Sequence, residues 1–573
     1  MGGGAAIAGG AMLGWPLASR GAPAPAQIVL RNGFLYTLDR ARPVAQALAV
    51  TDGQLAYVGS AAGVESFTGP GTEVIDLNGR MVMPGIHDGH IHPLAGGRQL
   101  TQPNLNAQAL QRSELLDAVA KLLARSRRFE PDTWLEVVGW DAVVMKNIPT
   151  KRDLDRLETS RPILIRSLDG HAALANSRAL QIAGVSASTD NPEGGRIAPG
   201  RGGSPTGLLY DNAISLVGRR LPNPTNEQNA ASLEAAYEQM IKQGVTSHLE
   251  AATGETDLKA MALLSDRGQL PVRSAVALEV GADLAADPGE LTAFVERMRG
   301  TYGRPDIAIR TVKMFFDGVM EYPTQTAALL EPYLNPKGKP GRDRGPTYFP
   351  RQIINPAVRA LDAAGWQVHV HAIGDRAVRL ALDGFEHARR ANGPRDNRHT
   401  ITHVELVHPG DFGRFKELGV LANMQAQWAE RDSYTIDAVR PYIARRRWRR
   451  LYPAGNLHRA GARLCGGSDW PVDPLLPFRQ IEMAVNRTAD EVYEAYPGAL
   501  NERQGLSLRS AIAMHTRNSA FQMGQEALTG RLRAGLLADL LVLDRNLLKV
   551  PLEKVSKTKV DMTMVGGKIL RGS

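Results

Sequence analysis

Eight short apolar segments, separated by stretches with helical patterning, constrain the fold of this chain more than any other feature. From the fifth segment onward, their spacing is close to one strand and one helix each. Alternating strands and helices form parallel sheets, and eight such units close into a TIM barrel whose active site lies at the carboxyl ends of the strands. The predicted strands are 81–92, 245–250, 272–280, 308–318, 366–373, 401–407, 419–427 and 463–469.

The two ends of the chain share a different pattern, in which short apolar runs alternate with tight turns. Asn32-Gly33 and Asp52-Gly53 separate such runs near the start, and Gly566-Gly567 does so near the end. This pattern is typical of hairpins. Between predicted strands one and two, the interval is too long for a single crossover and predicts an inserted lobe. The predicted units are a composite β-sandwich of 27–80 and 530–573 and a barrel of 81–529 with its lobe at 93–243.

Composition excludes several kinds of site. Among 573 residues there is one cysteine, Cys465, so neither an intrachain disulfide nor a cysteine-rich zinc site is available. A metal would need His, Asp, Glu or a modified side chain. The formal net charge is +9, but its one dense cluster, Arg445–Arg450, accompanies no nucleic-acid motif, and we interpret it as a solvated helix face. After residue 26, no run reaches the ~18 consecutive apolar residues of a membrane span.

Residues 1–26 have the composition of an export signal. They are rich in Gly and Ala, contain a few larger apolar residues, and end in Ala24-Pro25-Ala26, which is similar to an A-x-A cleavage site. A basic region before the apolar stretch is missing. We expect a periplasmic or secreted protein with a signal-like segment, and the alternative is a disordered tail on a cytoplasmic protein.

The first predicted barrel strand ends in His90-Ile91-His92. Because side chains alternate along a strand, both histidines can point toward the barrel axis and bind one metal ion. Two histidines can also be satisfied by hydrogen bonds in a core, so this motif alone is a moderate signal.

Lys313 lies on the fourth predicted strand and shares a face with Phe315 and Asp317. A lysine inside a packed barrel is costly unless it is paired or chemically changed. Burial lowers the pKa of an amine, and a neutral amine can react with carbon dioxide to give an anionic carbamate that bridges metals. The alternative is an ordinary ion pair with Asp469 or Asp317.

Three further strand ends carry metal-binding residue types. The fifth strand contains His369 and His371, between which the pattern alone does not choose, the sixth contains His403, and the eighth ends in Asp469. Each residue by itself could be structural, but their recurrence at the catalytic end of the barrel predicts a metal site.

These motifs together resemble the amidohydrolase superfamily, and within it the YtcJ-like, amidohydrolase-3 branch that includes N-substituted formamide deformylases. The resemblance covers roughly residues 28–570. It implies a TIM barrel with a composite sandwich, and zinc as the usual metal. The motifs are PGIHDGHIHP, GHAALANSRAL, VKMFFDGV, HVHAIGDRAV, ITHVELV, GGSDWPVDP and GLLADLLVLDRNLL. The implied ligands are His90, His92, Lys313 as a carbamate, His371, His403 and Asp469.

The resemblance also directs attention to the inserted lobe. His171 and Asn176 match the family motif there and are predicted to contact substrate, whereas Asn176 is equally typical of a helix cap. Pocket-lining candidates are Trp140, Asp317 and Trp428. Two places depart from the usual family pattern: Tyr210-Asp211 after the Pro-Thr-Gly turn, and His248-Leu249-Glu250 on the second strand.

We therefore expect a metal-dependent enzyme that hydrolyses an amide-type C–N bond other than a peptide bond. It would use one or two zinc ions, or other divalent metals, with Asp469 as proton shuttle and His403 and His171 as further catalytic residues. The alternatives are a deaminase of the same superfamily and a catalytically silent binding protein. The expected partner is a small amide-type molecule. We expect no nucleic-acid partner and no membrane span, and the sequence does not decide whether the protein is a homodimer.

Overall fold

The computed structural model describes residues 24–572 except 106–107, 126–132, 144, 158, 336 and 489–494. Most of the predicted export signal, residues 1–23, lies outside these described residues. Among the described helices, none combines the length and the apolar character that crossing a bilayer requires.

The strands alternate with helices along most of the described chain. The strands are β1 Ile28–Arg31, β2 Phe34–Tyr36, β3 Val44–Ala45, β4 Ala47–Thr51, β5 Gln54–Gly59, β6 Glu73–Asp76, β7 Met81–Pro84, β8 Ile86–Ile91, β9 Leu135–Trp140, β10 Ile163–Ser167, β11 Ala172–Ala175, β12 Gly195–Pro199, β13 Pro205–Asp211, β14 Val245–Thr253, β15 Arg273–Glu279, β16 Ile307–Phe315, β17 Gln367–Ala372, β18 Thr400–His403, β19 Leu421–Met424, β20 Arg463–Gly466, β21 Leu540–Leu543, β22 Val560–Val565 and β23 Lys568–Arg571.

The α-helices are mostly short in the lobe and longer around the barrel. They are α1 Ala61–Val64, α2 Pro93–Thr101, α3 Arg112–Arg125, α4 Lys151–Leu154, α5 Ser177–Ala183, α6 Ile214–Gly218, α7 Asn226–Lys242, α8 Glu255–Asp266, α9 Ala282–Ala285, α10 Pro288–Tyr302, α11 Arg351–Ala363, α12 Asp375–Asn392, α13 Phe412–Leu418, α14 Arg445–Trp448, α15 Ala454–Arg459, α16 Pro477–Asn486, α17 Leu508–Ala513 and α18 Ser519–Gln522.

Eight parallel strands form the predicted barrel, in the order β8, β14, β15, β16, β17, β18, β19 and β20. Every residue of β8, β17, β18 and β19 is buried, as expected for strands covered on both faces. The barrel nearly closes between β20 and β8. There, just beyond β20, the Asp469 backbone N–H donates to the His90 carbonyl at 2.8 Å, and the Ser468 N–H donates to the Asp88 carboxylate at 2.9 Å.

Both chain ends contribute strands to a β-sandwich, which confirms the predicted fold class. One sheet has the order β5-β4-β1-β6, and the other has the order β23-β22-β21-β7-β2-β3, in which β21 runs antiparallel to β7. Apolar side chains such as Leu30, Leu48, Val82 and Leu540 fill the space between them. Burial of these side chains stabilises the association of the two ends of the chain.

The predicted strand 81–92 divides at Gly85 into β7, which belongs to the sandwich, and β8, which belongs to the barrel. A Cβ at Gly85 would lie 2.1 Å from the Thr246 hydroxyl, so only glycine permits this close approach between β8 and β14. The division positions the His90 segment at the opposite end of β8 from the sandwich.

The inserted lobe contains its own five-stranded sheet, in the order β12-β13-β11-β10-β9. The α3 helix packs on one face of this sheet, and Leu115, Val137, Trp140 and Leu174 are among the buried residues there. Because the lobe follows β8 directly, it lies next to the barrel end that carries His90 and His92.

Candidate metal centre

His90 and His92 converge on one carboxylate at the carboxyl end of the barrel. His90 Nε2 lies 3.2 Å from Asp469 Oδ1, and His92 Nε2 lies 3.0 Å from the same oxygen. Among the described residues, these three side chains place their donor atoms close enough together to share one metal ion. The structure therefore brings together residues that are about 380 positions apart in the chain.

Backbone strain accompanies two of the predicted ligands. Asp469 has φ of 56° and His403 has φ of 72°, so both adopt the left-handed conformation that favours glycine. Such conformations cost about 1–3 kcal/mol each and concentrate at functional sites. The hydrogen bond from the Asp469 N–H to His90 holds the carboxylate beside the two histidines.

The far nitrogens of the histidines are held by other side chains. His90 Nδ1 lies 2.8 Å from His369 Nε2 and 3.1 Å from the Thr402 hydroxyl, while His92 Nδ1 lies 3.3 Å from Glu250 Oε1. Hydrogen bonds of this kind orient a histidine and leave its Nε2 free to bind a metal.

Lys313 is fully buried, and its Nζ has no hydrogen-bond partner among the described residues. Nζ lies 4.4 Å from the centre of the Phe315 ring, and burial lowers the pKa of the amine to about 8, although Asp469 opposes this shift. The hydrogen-bonded ion pair with Asp469 or Asp317 considered above is not formed. A buried amine without a partner is costly, which fits conversion to a carbamate that binds metal.

His371 and His403 form the other side of the centre, with ring centroids 4.4 Å apart. His403 Nδ1 lies 2.9 Å from Gln425 Oε1 and 3.9 Å from Asp469 Oδ2, and His371 Nε2 lies 3.2 Å from the Gly318 carbonyl. Burial lowers the pKa of both histidines well below the ordinary value. Both are therefore neutral, which is the form that binds metal.

The pKa of His92 is shifted in the opposite direction to those of His371 and His403. Burial lowers its pKa, but hydrogen bonds to Asp469 and Glu250 outweigh burial and raise the pKa to about 9. The two carboxylates beside His92 therefore favour its protonated form. A divalent cation that takes the place of this proton would keep the charge of Asp469 and Glu250 balanced.

Trp428 and Asp317 border the centre. The half-buried Trp428 ring stacks on His403 with a centroid separation of 5.5 Å and an interplanar angle of 8°. Asp317 accepts hydrogen bonds from the N–H groups of Ala328, Ile373 and Gly374 at 2.8–3.0 Å. Asp317 therefore ties the segment after β16 to the end of β17.

From the lobe, His171 approaches the same site. Its ring centroid lies 6.0 Å from that of His371, and its Nδ1 lies 2.6 Å from Asp211 Oδ1. Burial lowers the pKa of His171, but the hydrogen bond to Asp211 outweighs burial and raises it to about 9. The lobe thus holds a cationic hydrogen-bond donor beside the barrel end.

Asn176 and Trp140 are placed inside the lobe. The Asn176 carboxamide caps α5 through the Ala179 N–H, accepts from the Ile163 N–H and donates to the Arg161 carbonyl, which uses both of its ends. Trp140 is 1% exposed and packs in the lobe core. The contacts of both residues are therefore with the lobe, as a helix cap and a core residue would make.

Sequence reasoning missed several partners of the predicted ligands. Glu250, Thr402, Gln425 and Asp211 each hydrogen-bond or pair with one of them. The sequence held a signal for two of these partners. Glu250, on the second barrel strand, and Asp211, after the Pro-Thr-Gly turn, both lie where the chain departs from the usual family pattern. His369, left open beside His371, holds His90.

The donor set suits a divalent metal. His90, His92, His371 and His403 offer imidazole nitrogens, and Asp469 offers carboxylate oxygens; zinc prefers such a combination. Lys313 pairs across the sheet with His369, whose ring lies 2.8 Å from His90 Nδ1, so the unpartnered amine belongs to a strand next to the donor set. The residues present therefore fit a metal.

Comparison with known proteins gives a consistent result. The chain is 28% identical to the putative amidohydrolase YtcJ of Bacillus subtilis over 95% of this chain and 99% of that protein. It is 25% identical to the N-substituted formamide deformylase of Arthrobacter pascens, over 94% of this chain and 97% of that protein.

A solved structure shares the fold over nearly the whole chain. It is an uncharacterised metal-dependent hydrolase of Pyrococcus horikoshii OT3, with a TM-score of 0.70 and 24% identity, and the match covers 92% of this chain and 99% of that one. The model of the family described as "Amidohydrolase family" matches residues 73–571. Since this match spans the barrel, the lobe and about half of the sandwich, the chain belongs to the amidohydrolase family.

Proposed function

We propose that this protein is a metal-dependent hydrolase that cleaves an amide-type C–N bond other than a peptide bond. One observation carries the proposal: His90, His92 and Asp469 meet within hydrogen-bond distance at the barrel end, beside the buried and unpartnered amine of Lys313. Similarity to a formamide deformylase over most of both chains supports an amide-type bond.

The proposed metal is zinc, with one or two ions held by His90, His92, His371, His403 and Asp469. A carbamate on Lys313 would add an anionic oxygen ligand to this set. When bound, zinc lowers the pKa of a coordinated water towards neutrality and polarises a substrate carbonyl.

Asp469 is the proposed proton carrier. Its Oδ1 faces both His90 and His92, and its Oδ2 faces His403, so the carboxylate lies at the centre of the donor set. It would accept the proton of the attacking water and return it to the leaving nitrogen, which avoids expelling an amide anion.

His171 and Trp428 are proposed to orient the substrate. His171 comes from the lobe, and Asp211 fixes its ring through Nδ1, which leaves Nε2 to donate a hydrogen bond to a substrate oxygen. Trp428 adds a flat apolar wall beside His403. Asp317 would keep the neighbouring backbone in place, and Asn176 and Trp140 would act through the structure of the lobe.

Elemental analysis of the purified protein, followed by assays of the metal-loaded form, tests the function. N-acyl, N-formyl and cyclic amides should yield a carboxylate and an amine, whereas a deaminase would release ammonia from an amidine-like centre. Protein that is purified without metal and stays inactive after zinc is added would refute the enzyme and favour a binding protein. Size-exclusion chromatography of the same sample decides between a monomer and a homodimer.

Export remains a proposal that rests on the composition of residues 1–26. Cell fractionation and N-terminal sequencing of the mature protein test it. A cytoplasmic protein that keeps its N-terminus would contradict it.

A further inference from the structure

A cavity of about 220 Å³ lies where the β-sandwich meets the helical segment that follows β20. One wall comes from β2 and the β2–β3 loop, and the other comes from α17 and the segment between α17 and α18. The polar residues that line it are Tyr36, Asp39, Arg40, Arg509, Ser510 and Arg517. None of them is a predicted metal ligand or the partner of one, so this cavity is separate from the candidate metal centre.

The three arginines of this cavity have no partner of opposite charge. Within the described part of the chain, the side chains of Arg40, Arg509 and Arg517 form neither an ion pair nor a hydrogen bond. Arg398, which is half-buried like Arg517, instead pairs with Glu526 at 2.6 Å. Burial and the positive charge of Arg40 lower the pKa of Arg517, although a guanidinium stays protonated. An anion in the cavity would relieve this repulsion.

Packing and a closed loop hold the two walls in place. Arg509 Cζ lies 5.5 Å from the centre of the Tyr36 ring, which places the guanidinium over an aromatic face. The loop that carries Arg40 is closed by a hydrogen bond from the Thr37 N–H to the Pro43 carbonyl at 3.2 Å. A ligand would therefore meet groups that are already ordered, and binding would cost little conformational entropy.

Ser510 and Asp39 complete the polar lining. The Ser507 hydroxyl donates to Ser510 Oγ at 2.9 Å, which leaves the Ser510 hydroxyl proton free to donate to a ligand. The Asp39 carboxylate already accepts from the Ala41 N–H at 3.2 Å. Three guanidinium groups and one carboxylate give the lining a net charge of +2, which matches a dianion.

We propose that this cavity binds a phosphate dianion, either inorganic phosphate or the phosphoryl group of a small monoester. Phosphate presents acceptor oxygens in several directions, so guanidinium groups and a hydroxyl from two walls can each donate to it. The volume is smaller than the roughly 300–1,000 Å³ of sites for drug-sized molecules, which favours a ligand with only a few carbon atoms beside the phosphate. Because the walls belong to the sandwich and to the barrel, a bound phosphate would link the two and stabilise the folded protein. The proposal does not depend on the proposed hydrolase function.

Isothermal titration calorimetry of the full chain at constant ionic strength tests the proposal, with inorganic phosphate, glycerol 3-phosphate and acetate as probes. We expect one phosphate to bind per chain, and acetate to bind at least about tenfold more weakly. Arg509→Gln and Arg517→Gln should each weaken phosphate binding about tenfold, through the loss of one charge-assisted hydrogen bond. Arg42→Gln, on the same loop as Arg40 but outside the cavity lining, is the matched control and should bind phosphate as the unsubstituted protein does.

The relative affinities of the two phosphate compounds identify the ligand. Tighter binding of glycerol 3-phosphate indicates a phosphorylated small molecule, and tighter binding of inorganic phosphate indicates the free ion. Arg40→Gln, at an exposed position, should also weaken binding and serves if the other two variants do not fold. Absent phosphate binding, or equal binding of phosphate and acetate, would overturn the proposal. Binding that survives the arginine substitutions would overturn it as well, since phosphate held at the candidate metal centre would behave in that way.

Discussion

Arg447 and Asp375 form a buried ion pair that holds the long segment between β16 and α11 against the barrel. Arg447 Nη2 donates to Asp375 Oδ1 at 2.7 Å, and each side chain is 5% exposed. Asp375 also accepts from the Leu330 N–H at 2.8 Å, and Arg447 donates to the Glu331 carbonyl at 3.2 Å. Removing Arg447 would leave a buried carboxylate with a backbone donor but no cation.

The expected cost follows from this burial. Breaking a buried pair by removing one partner costs about 3–5 kcal/mol, because the remaining charge is uncompensated. Arg447→Met should therefore destabilise the protein by that amount. Arg446→Met provides the control, since its pair with Glu331 is exposed and should contribute less than about 1 kcal/mol.

Urea unfolding followed by tryptophan fluorescence measures the stability change, and limited proteolysis reports on the segment between β16 and α11. The double variant Arg447→Met with Asp375→Asn should lose less than the sum of the two single variants, with a coupling of about 2 kcal/mol. Equal stability of Arg447→Met and Arg446→Met, or additive effects in the double variant, would refute the assignment of a buried ion pair.

Three further predictions concern single positions. Lys313→Ala should bind metal at least about tenfold more weakly, with partial rescue by acetate, and unchanged metal content by elemental analysis would exclude the carbamate. Asp469→Asn should lose about 10²–10⁴-fold in kcat while keeping metal better than activity, and full activity would remove it as proton carrier. Burial lowers the pKa of His515 to about 4, so the unfolded state takes up a proton at a higher pH than the folded state does. The free energy of unfolding should therefore fall by about 3 kcal/mol as the pH falls from about 6.5 to 4. Thermal unfolding across this pH range should show a smaller loss of stability in His515→Gln than in the unsubstituted protein. An identical loss of stability would contradict a buried neutral histidine.

The barrel was accessible from sequence because its signals are local. Apolar runs, turn residues and strand–helix alternation depend on neighbouring positions, so the predicted strands 366–373 and 463–469 lie close to the observed β17 and β20. The predicted strand 81–92 could not be divided in advance. Met81–Pro84 is apolar whereas Ile86–Ile91 carries His87, Asp88 and His90, but only the packing of β7 on β21 assigns the first half to the sandwich.

The candidate site was accessible in part, for the same reason. His90, His92, His403 and Asp469 stand at strand ends, and parallel strands of one barrel bring their ends together whatever lies between them. The environment of Lys313 was not accessible, because the hydrogen-bond partners of a side chain depend on the register of neighbouring strands and on the path of loops.

By itself, then, the sequence determined a barrel with histidines, a lysine and an aspartate at its catalytic end, since strand periodicity and chain order settle which side chains can face the axis. The tertiary structure alone decided which groups complete that end. Glu250 lies beside His92, Asp211 fixes His171, and His369 holds His90. These pairings join segments far apart in the chain, so they arise only from barrel closure and the docking of the inserted lobe, which no local pattern encodes.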